Sequence, residues 1–357
     1  MNPAALIPTP DAIPVPWGWF YVLLIVTFLL HILVMNAMLG GGIITLISAL
    51  RGGQDNIMLG KEFSYKWPYT VAFAVNMGVA PLLFVQVLYG QFIYSSSILM
   101  AVWWLSIIGL LILAYYAVYL FDFKFEALGG LRILVIEFAV VIMLIIAFFF
   151  SNNMTLMVQP EKWLAYFRDG SGTLLNLSDP TLFPRYFHMV VGAVAVAGLY
   201  LALIGHFRFT KSKVDRDALI TKGLKYFTYA TGIQIVLGLI FLVTLPKNIM
   251  MLFMGGSGYG TLLLLLGLVL GIVAFWFGSR NQLAKASIST LVLLVVMILI
   301  RDLVRTAYLE PYFSMSDLAV RPEYSPLIFF LVVFVAGLAM IAYMLKLAFS
   351  CRKEVTK

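Results

Sequence analysis

Residues 17–49 read WGWFYVLLIVTFLLHILVMNAMLGGGIITLISA, a stretch with no charged side chain and a single histidine. About 20 apolar residues suffice to cross the hydrocarbon core of a bilayer. The segment therefore reads as a transmembrane helix. Eight further stretches are long and predominantly apolar: 68–92, 97–121, 132–150, 186–207, 226–245, 260–279, 287–307 and 325–349, the eighth span ending in charge. A short polar turn around Tyr94 to Ser97 separates the second span from the third. Across 357 residues the chain is 62% hydrophobic and 11% charged, against about 25% charged in soluble domains. Its apolar surface is thus matched to lipid. The fold class that follows is an all-α integral membrane protein, a polytopic bundle of about nine helices. Residues 1–357 form one transmembrane domain, with a first part over about 17–210 and a second over about 226–350.

Lysine and arginine set the orientation. With the N-terminus outside, seventeen of the 24 basic residues fall on the inner side and seven on the outer. Basic residues concentrate in cytoplasmic loops, so the N-terminus is expected outside and the C-terminus in the cytoplasm. Trp17 and Trp19 then sit at an outer aromatic belt. The N-terminal residues lack the basic and cleavage features of a signal peptide. The expected location is a bacterial inner membrane.

The formal charge of +8 lies in short loops between apolar runs, which argues against nucleic acid as a partner. Cys351 is the sole cysteine. That excludes a disulfide within the chain, a covalently attached c-type haem, an iron–sulfur cluster and a cysteine zinc site. The run GGSGYG at 255–260 lacks the Lys-Ser/Thr ending of a phosphate loop and follows no strand, so it reads as an external turn. The longest external segments are 151–185 and about 308–324.

Three histidines remain, and they carry the chemistry. An ionisable or metal-binding side chain in hydrocarbon is costly and marks function by default, and imidazole is a common axial ligand of haem iron. His31 lies within the first span and His188 at the outer start of the fifth. Both are candidate haem-iron ligands. His206 follows His188 by 18 residues, about 27 Å of helix, too far to share one haem. It adjoins a basic loop and reads first as a solvated loop-edge histidine, with iron ligation as the lesser reading. Gly40, Gly41 and Gly42 allow close approach of a planar ring or a neighbouring helix. Met35, Met189, Met154, Met157, Met250, Met251 and Met254 are thioether candidates, though most of the 17 methionines serve packing. Arg301 and Arg305 are four apart and share a helix face on the side of His188. They are candidates to pair haem propionates, as is Arg185. Glu137 is expected to pair with Arg132 near the inner end of the fourth span.

Four stretches, in order, resemble subunit I of the cytochrome bd quinol oxidases. They are FLLHILVMNAMLGGG, NMGVAPLLFVQVLYGQF, YYAVYLFDF and LFPRYFHMVVGAVAVAGLYLA, together covering about residues 20–210. The resemblance implies a high-spin haem on His31 and a low-spin haem b on His188 near the outer surface. The chain departs from the family in other places. Its second and third spans lack the family's glutamates, with Gln86 near one of those places. The quinol-binding loop between spans six and seven is reduced to PKNIMMLFMGGSGYG, and span seven has no methionine. The run Gly-Arg-Gln-Pro-Trp between the last two spans is absent.

Without carboxylates to deliver protons, electron transfer is favoured over oxygen reduction. The expected function is a bd-like membrane cytochrome b subunit. It passes electrons between the quinone pool and an outer-facing partner such as a c-type cytochrome, using one to three haems b within a larger redox complex. A quinol-oxidising terminal oxidase subunit and a haem-free transporter or structural subunit stay open as alternatives.

Overall fold

The computed structural model describes residues 3–207, 209–211 and 215–355, with side chains described as far as Leu347 in the last helix. The protein is an all-α polytopic membrane bundle. Among the described residues, nine helices are long and apolar enough to cross a membrane. They are α1 (Trp17–Arg51), α3 (Trp67–Leu99), α4 (Ala101–Phe123), α5 (Arg132–Met157), α6 (Leu182–His206), α7 (Arg216–Thr244), α9 (Gly258–Ser279), α10 (Leu283–Leu309) and α11 (Ser325–Val355). Helices dominate because lipid offers the backbone no partner, so each segment must satisfy its own N–H and C=O groups. Two shorter helices complete the set, α2 (Gln54–Ser64) and α8 (Lys247–Met251).

The polar turn expected at Tyr94 to Ser97 does not form. Ser95 and Ser96 donate their hydroxyls to the carbonyls of Gln91 and Ile93, so these residues stay helical. The chain turns instead at Met100, where φ is −114° and ψ is 33°. The expected Glu137–Arg132 pair is also absent. The two are five residues apart, which separates them around the helix, since neighbours on one face are three or four apart. Arg132 lies over the Phe125 ring at 5.2 Å and Glu137 is exposed.

α6 is the pivot of the bundle. On one side it packs on α1, and with α3, α4 and α5 they enclose the largest core, around Phe63, Trp67 and Phe121. On the other side it packs on α7, which leads to α9 and then α10. Glycines permit the close crossings. A methyl group at Gly40 on α1 would stand 2.0 Å from the Ala193 carbonyl oxygen on α6. One at Gly198 on α6 would stand 2.6 Å from the Gly223 carbonyl oxygen on α7. Gly41 and Gly42 face Phe63 and Trp67, so this glycine run accommodates neighbouring elements.

α2 lies between the first two spans and buries Leu59 and Phe63. Its Glu62 is fully buried and accepts the Lys211 backbone N–H on both carboxylate oxygens, at 3.1 and 2.9 Å. The loop after α6 is thereby tied to α2.

Candidate functional site

Between the two sides of the bundle lies a cavity of about 300 Å³, walled by α1, α5, α6, α7, α9 and α10. That volume is at the lower end of the range for ligand pockets. Four of its lining residues are Gly192, Gly238, Gly267 and Gly271. Their missing side chains are part of what keeps the space open.

His188 lines this cavity. α6 begins at Leu182, four residues earlier than the apolar pattern indicates. His188 therefore sits about 9 Å along the helix. Its ring rests against α7, where a methyl group at Gly238 would be 3.1 Å from His188 Cε1. The Gln234 backbone is close enough to act on the ring, yet Nδ1 is buried and makes no hydrogen bond. The Phe241 ring lies 6.5 Å from the imidazole.

The three arginines singled out in the sequence meet here. Arg185, Arg301 and Arg305 all line the cavity. Arg305 is 7% exposed and pairs with Asp302, whose other oxygen accepts from the Tyr21 hydroxyl at 2.8 Å. Its guanidinium lies 4.3 Å from the Tyr89 ring, and its Nε and Nη1 have no hydrogen-bond partner. Arg301 stands over Phe28 at 4.5 Å and Arg185 over Phe241 at 5.2 Å. Among the described residues neither forms an ion pair, and Arg185 Nε is buried without a partner.

Asp302 is thus committed to Arg305 and Tyr21, and two guanidinium charges remain without a carboxylate. A buried charge lacking its partner costs several kcal/mol. Contact with an aromatic face returns at most about 2 kcal/mol. Among the described residues no carboxylate lies within ion-pair distance of Arg185 or Arg301.

His31 lies outside this cavity, between α1 and α3. Its Nδ1 is 3.0 Å from the Ala74 carbonyl oxygen, and a methyl group at Gly78 would be 2.9 Å from its Cε1. His206 is exposed at the end of α6 against the Phe207 ring. Of the methionines, Met35, Met154, Met157, Met189 and Met297 line the cavity. Met250, Met251 and Met254 are not among its lining residues. Among the described residues no cluster of three or more His, Cys, Asp or Glu could hold a bare metal ion. A haem asks for fewer ligands, one or two axial side chains.

Reasoning from the sequence alone missed Asn36, Thr231, Gln234, Thr290, Met297 and Tyr308, all in the cavity wall. Asn36 and Gln234 carried a readable signal, since each is an amide within a predicted span. Thr231, Thr290, Met297 and Tyr308 carried none, because threonine, methionine and tyrosine are ordinary in apolar helices. No protein-family model matches the chain, and no curated protein matches it.

Proposed function

We propose that the protein is a bd-like membrane cytochrome b subunit, with His188 as axial ligand of a non-covalent haem b in the cavity. The reading rests on one observation: a single imidazole shares a membrane-buried cavity with three arginines served by one carboxylate. A haem brings the two things this wall lacks, an iron for the imidazole and propionates for the guanidinium groups. Arg301 and Arg185 hold the propionates, with the free Nε and Nη1 of Arg305 beside them. Gly238 lets the imidazole lie against α7, near the Gln234 backbone. A carbonyl facing the distal ring nitrogen is the usual support for a metal-bound histidine. Bound there, a haem supplies a one-electron carrier near the outer face.

His31 enters the same reading as ligand of a second haem. Its Nδ1 is held on the Ala74 carbonyl, which leaves Nε2 to coordinate. Electrons pass between the quinone pool and an outer-facing c-type cytochrome, in a complex of the bacterial inner membrane. His206 has no role in it.

A reduced-minus-oxidised spectrum of the purified protein tests the proposal, with pyridine haemochrome analysis to type the haem. We expect a b-type band that His188→Ala removes while the protein stays monodisperse. A preparation without haem, or a band untouched by His188→Ala, overturns the assignment.

A further inference from the structure

A second recess, of about 460 Å³, opens beside the loop that follows α6. It is lined by Lys66, Tyr200, Ile204, Phe209, Thr210 and Lys211 and shares no lining residue with the arginine cavity. α3 begins at Trp67 and α6 ends at His206, so the recess sits where both helices leave the apolar layer. Tyr200 stands six residues before the end of α6, about 9 Å along its axis. The wall therefore runs from the helix ends into the span.

Two ammonium groups face this recess. Lys66 Nζ is 3.7 Å from Glu62, whose side chain is fully buried. Both oxygens of that carboxylate also accept the Lys211 backbone N–H, so Glu62 is already engaged. The Lys211 ammonium forms no ion pair among the described residues. It lies 5.9 Å from the Tyr65 ring and 6.0 Å from the Tyr69 ring. Asp122 in the last turn of α4 feels the Lys211 charge but is beyond ion-pair distance.

The surroundings are those of a membrane boundary. Tyrosine gathers at the level of the lipid headgroups, and here Tyr65 and Tyr69 flank the lysine. Phe209 is exposed, and with Ile204 it gives the recess an apolar side. Tyr200 and Thr210 add hydroxyl groups to the wall. A phosphate would be held by the two ammonium groups, and an acyl chain would cover Phe209 and Ile204. Free phosphate meets only the first need. A zwitterionic lipid brings a cation of its own to a wall that already has two. Basic pockets between transmembrane helices hold anionic headgroups in this way.

We propose that the recess binds one anionic glycerophospholipid, with its phosphate between Lys66 and Lys211 and a chain along Phe209 and Ile204. The site is independent of the haem reading. The full-length purified protein, stripped of lipid in a neutral detergent, is titrated with phosphatidylglycerol and separately with phosphatidylcholine of the same chains. Bound lipid is counted by native mass spectrometry. One phosphatidylglycerol per chain should bind about tenfold more tightly than phosphatidylcholine. Lys211→Gln should weaken it about fivefold, the worth of one cation near an anionic lipid, and it keeps the backbone N–H that serves Glu62. Lys66→Gln should do the same, and Lys66→Arg should restore binding. Lys225→Gln, at an exposed position on α7 outside the recess, should leave affinity unchanged. Thermal unfolding of each variant identifies loss of fold. Equal binding of the two lipids, or an equal loss with Lys225→Gln, overturns the site. Displacement of the lipid by millimolar inorganic phosphate would make free phosphate the occupant and overturns the lipid assignment.

Discussion

His188 and His31 differ in what holds their rings. The Ala74 carbonyl fixes one, whereas the other rests on the bare backbone at Gly238 with Nδ1 unbonded. A side chain at position 238 must therefore displace the His188 imidazole. Gly238→Val should lower haem content and shift the b-type band, with a stability cost of about 1–3 kcal/mol from overpacking. An unchanged spectrum would place the ligand elsewhere. Arg301 gives a test of opposite sign in two states. Without an anion it is a half-buried charge with only Phe28 beneath it. Arg301→Gln should then raise the thermal stability of ligand-free protein, because it removes a charge that no carboxylate compensates. In loaded protein the same change should weaken haem retention. A fall in stability in both states would make Arg301 a packing residue instead.

At the level of elements, the glycine crossings dictate where the helices meet. A methyl group at Gly223 on α7 would stand 2.5 Å from the Gly198 carbonyl oxygen. Only separation of α6 from α7 relieves a clash between two backbones. Gly223→Val should cost about 1–3 kcal/mol or more and lower the thermal unfolding midpoint in detergent. The lipid-side change Tyr229→Val should not. α2 contributes a different kind of contact. Its half-buried Lys61 pairs with the exposed Glu126 after α4, which lowers the Glu126 carboxyl below its ordinary range and raises the Lys61 ammonium above its own. The Glu126 contribution is present above the usual carboxylate range and fades as pH falls through the lowered value. The Lys61 contribution is present below the usual lysine range and fades as pH rises through the raised value. The pair persists across neutral pH, so Glu126→Gln should leave the midpoint there nearly unchanged, as solvent screens exposed pairs. All nine spans were legible, because a long, predominantly apolar run has few alternatives in a membrane protein. α2 was not: QDNIMLGKEFS mixes polar and apolar residues, and its position depends on burying Leu59 and Phe63 against other helices. The gathering of Arg185, Arg301 and Arg305 was only half legible. Helical spacing put Arg301 and Arg305 on one face, but only the packing of α6 against α7 and of α9 against α10 brings α6 to the same cavity.

Across the whole molecule, α11 stands apart from the rest of the bundle. None of the residues in its apolar window is buried, whereas the other spans bury 17–44% of theirs. Its lead-in segment is held by strand-like pairing: Ile13 donates to the Ala319 carbonyl at 2.8 Å and Arg321 donates back to Ile13 at 2.9 Å. Stability in a membrane bundle comes from helix packing, not from exclusion of apolar surface from water. A helix that buries nothing adds little to the rest. Ending the chain after Tyr324 should leave the thermal midpoint and the haem band as they are in the full protein. The same helix reports orientation, because Cys351 is the only thiol and lies in the last turns of α11. With the N-terminus outside, nine crossings put Cys351 in the cytoplasm and the arginine end of the cavity toward the outer face. A membrane-impermeant maleimide should then leave intact cells unlabelled and react after permeabilisation. In a Cys351→Ser background, a cysteine at the exposed Ser171 should react in intact cells. The reverse pattern would turn His188 and its arginines toward the cytoplasm. Electrons would then leave on the inner side, and an outer c-type cytochrome would no longer be within reach.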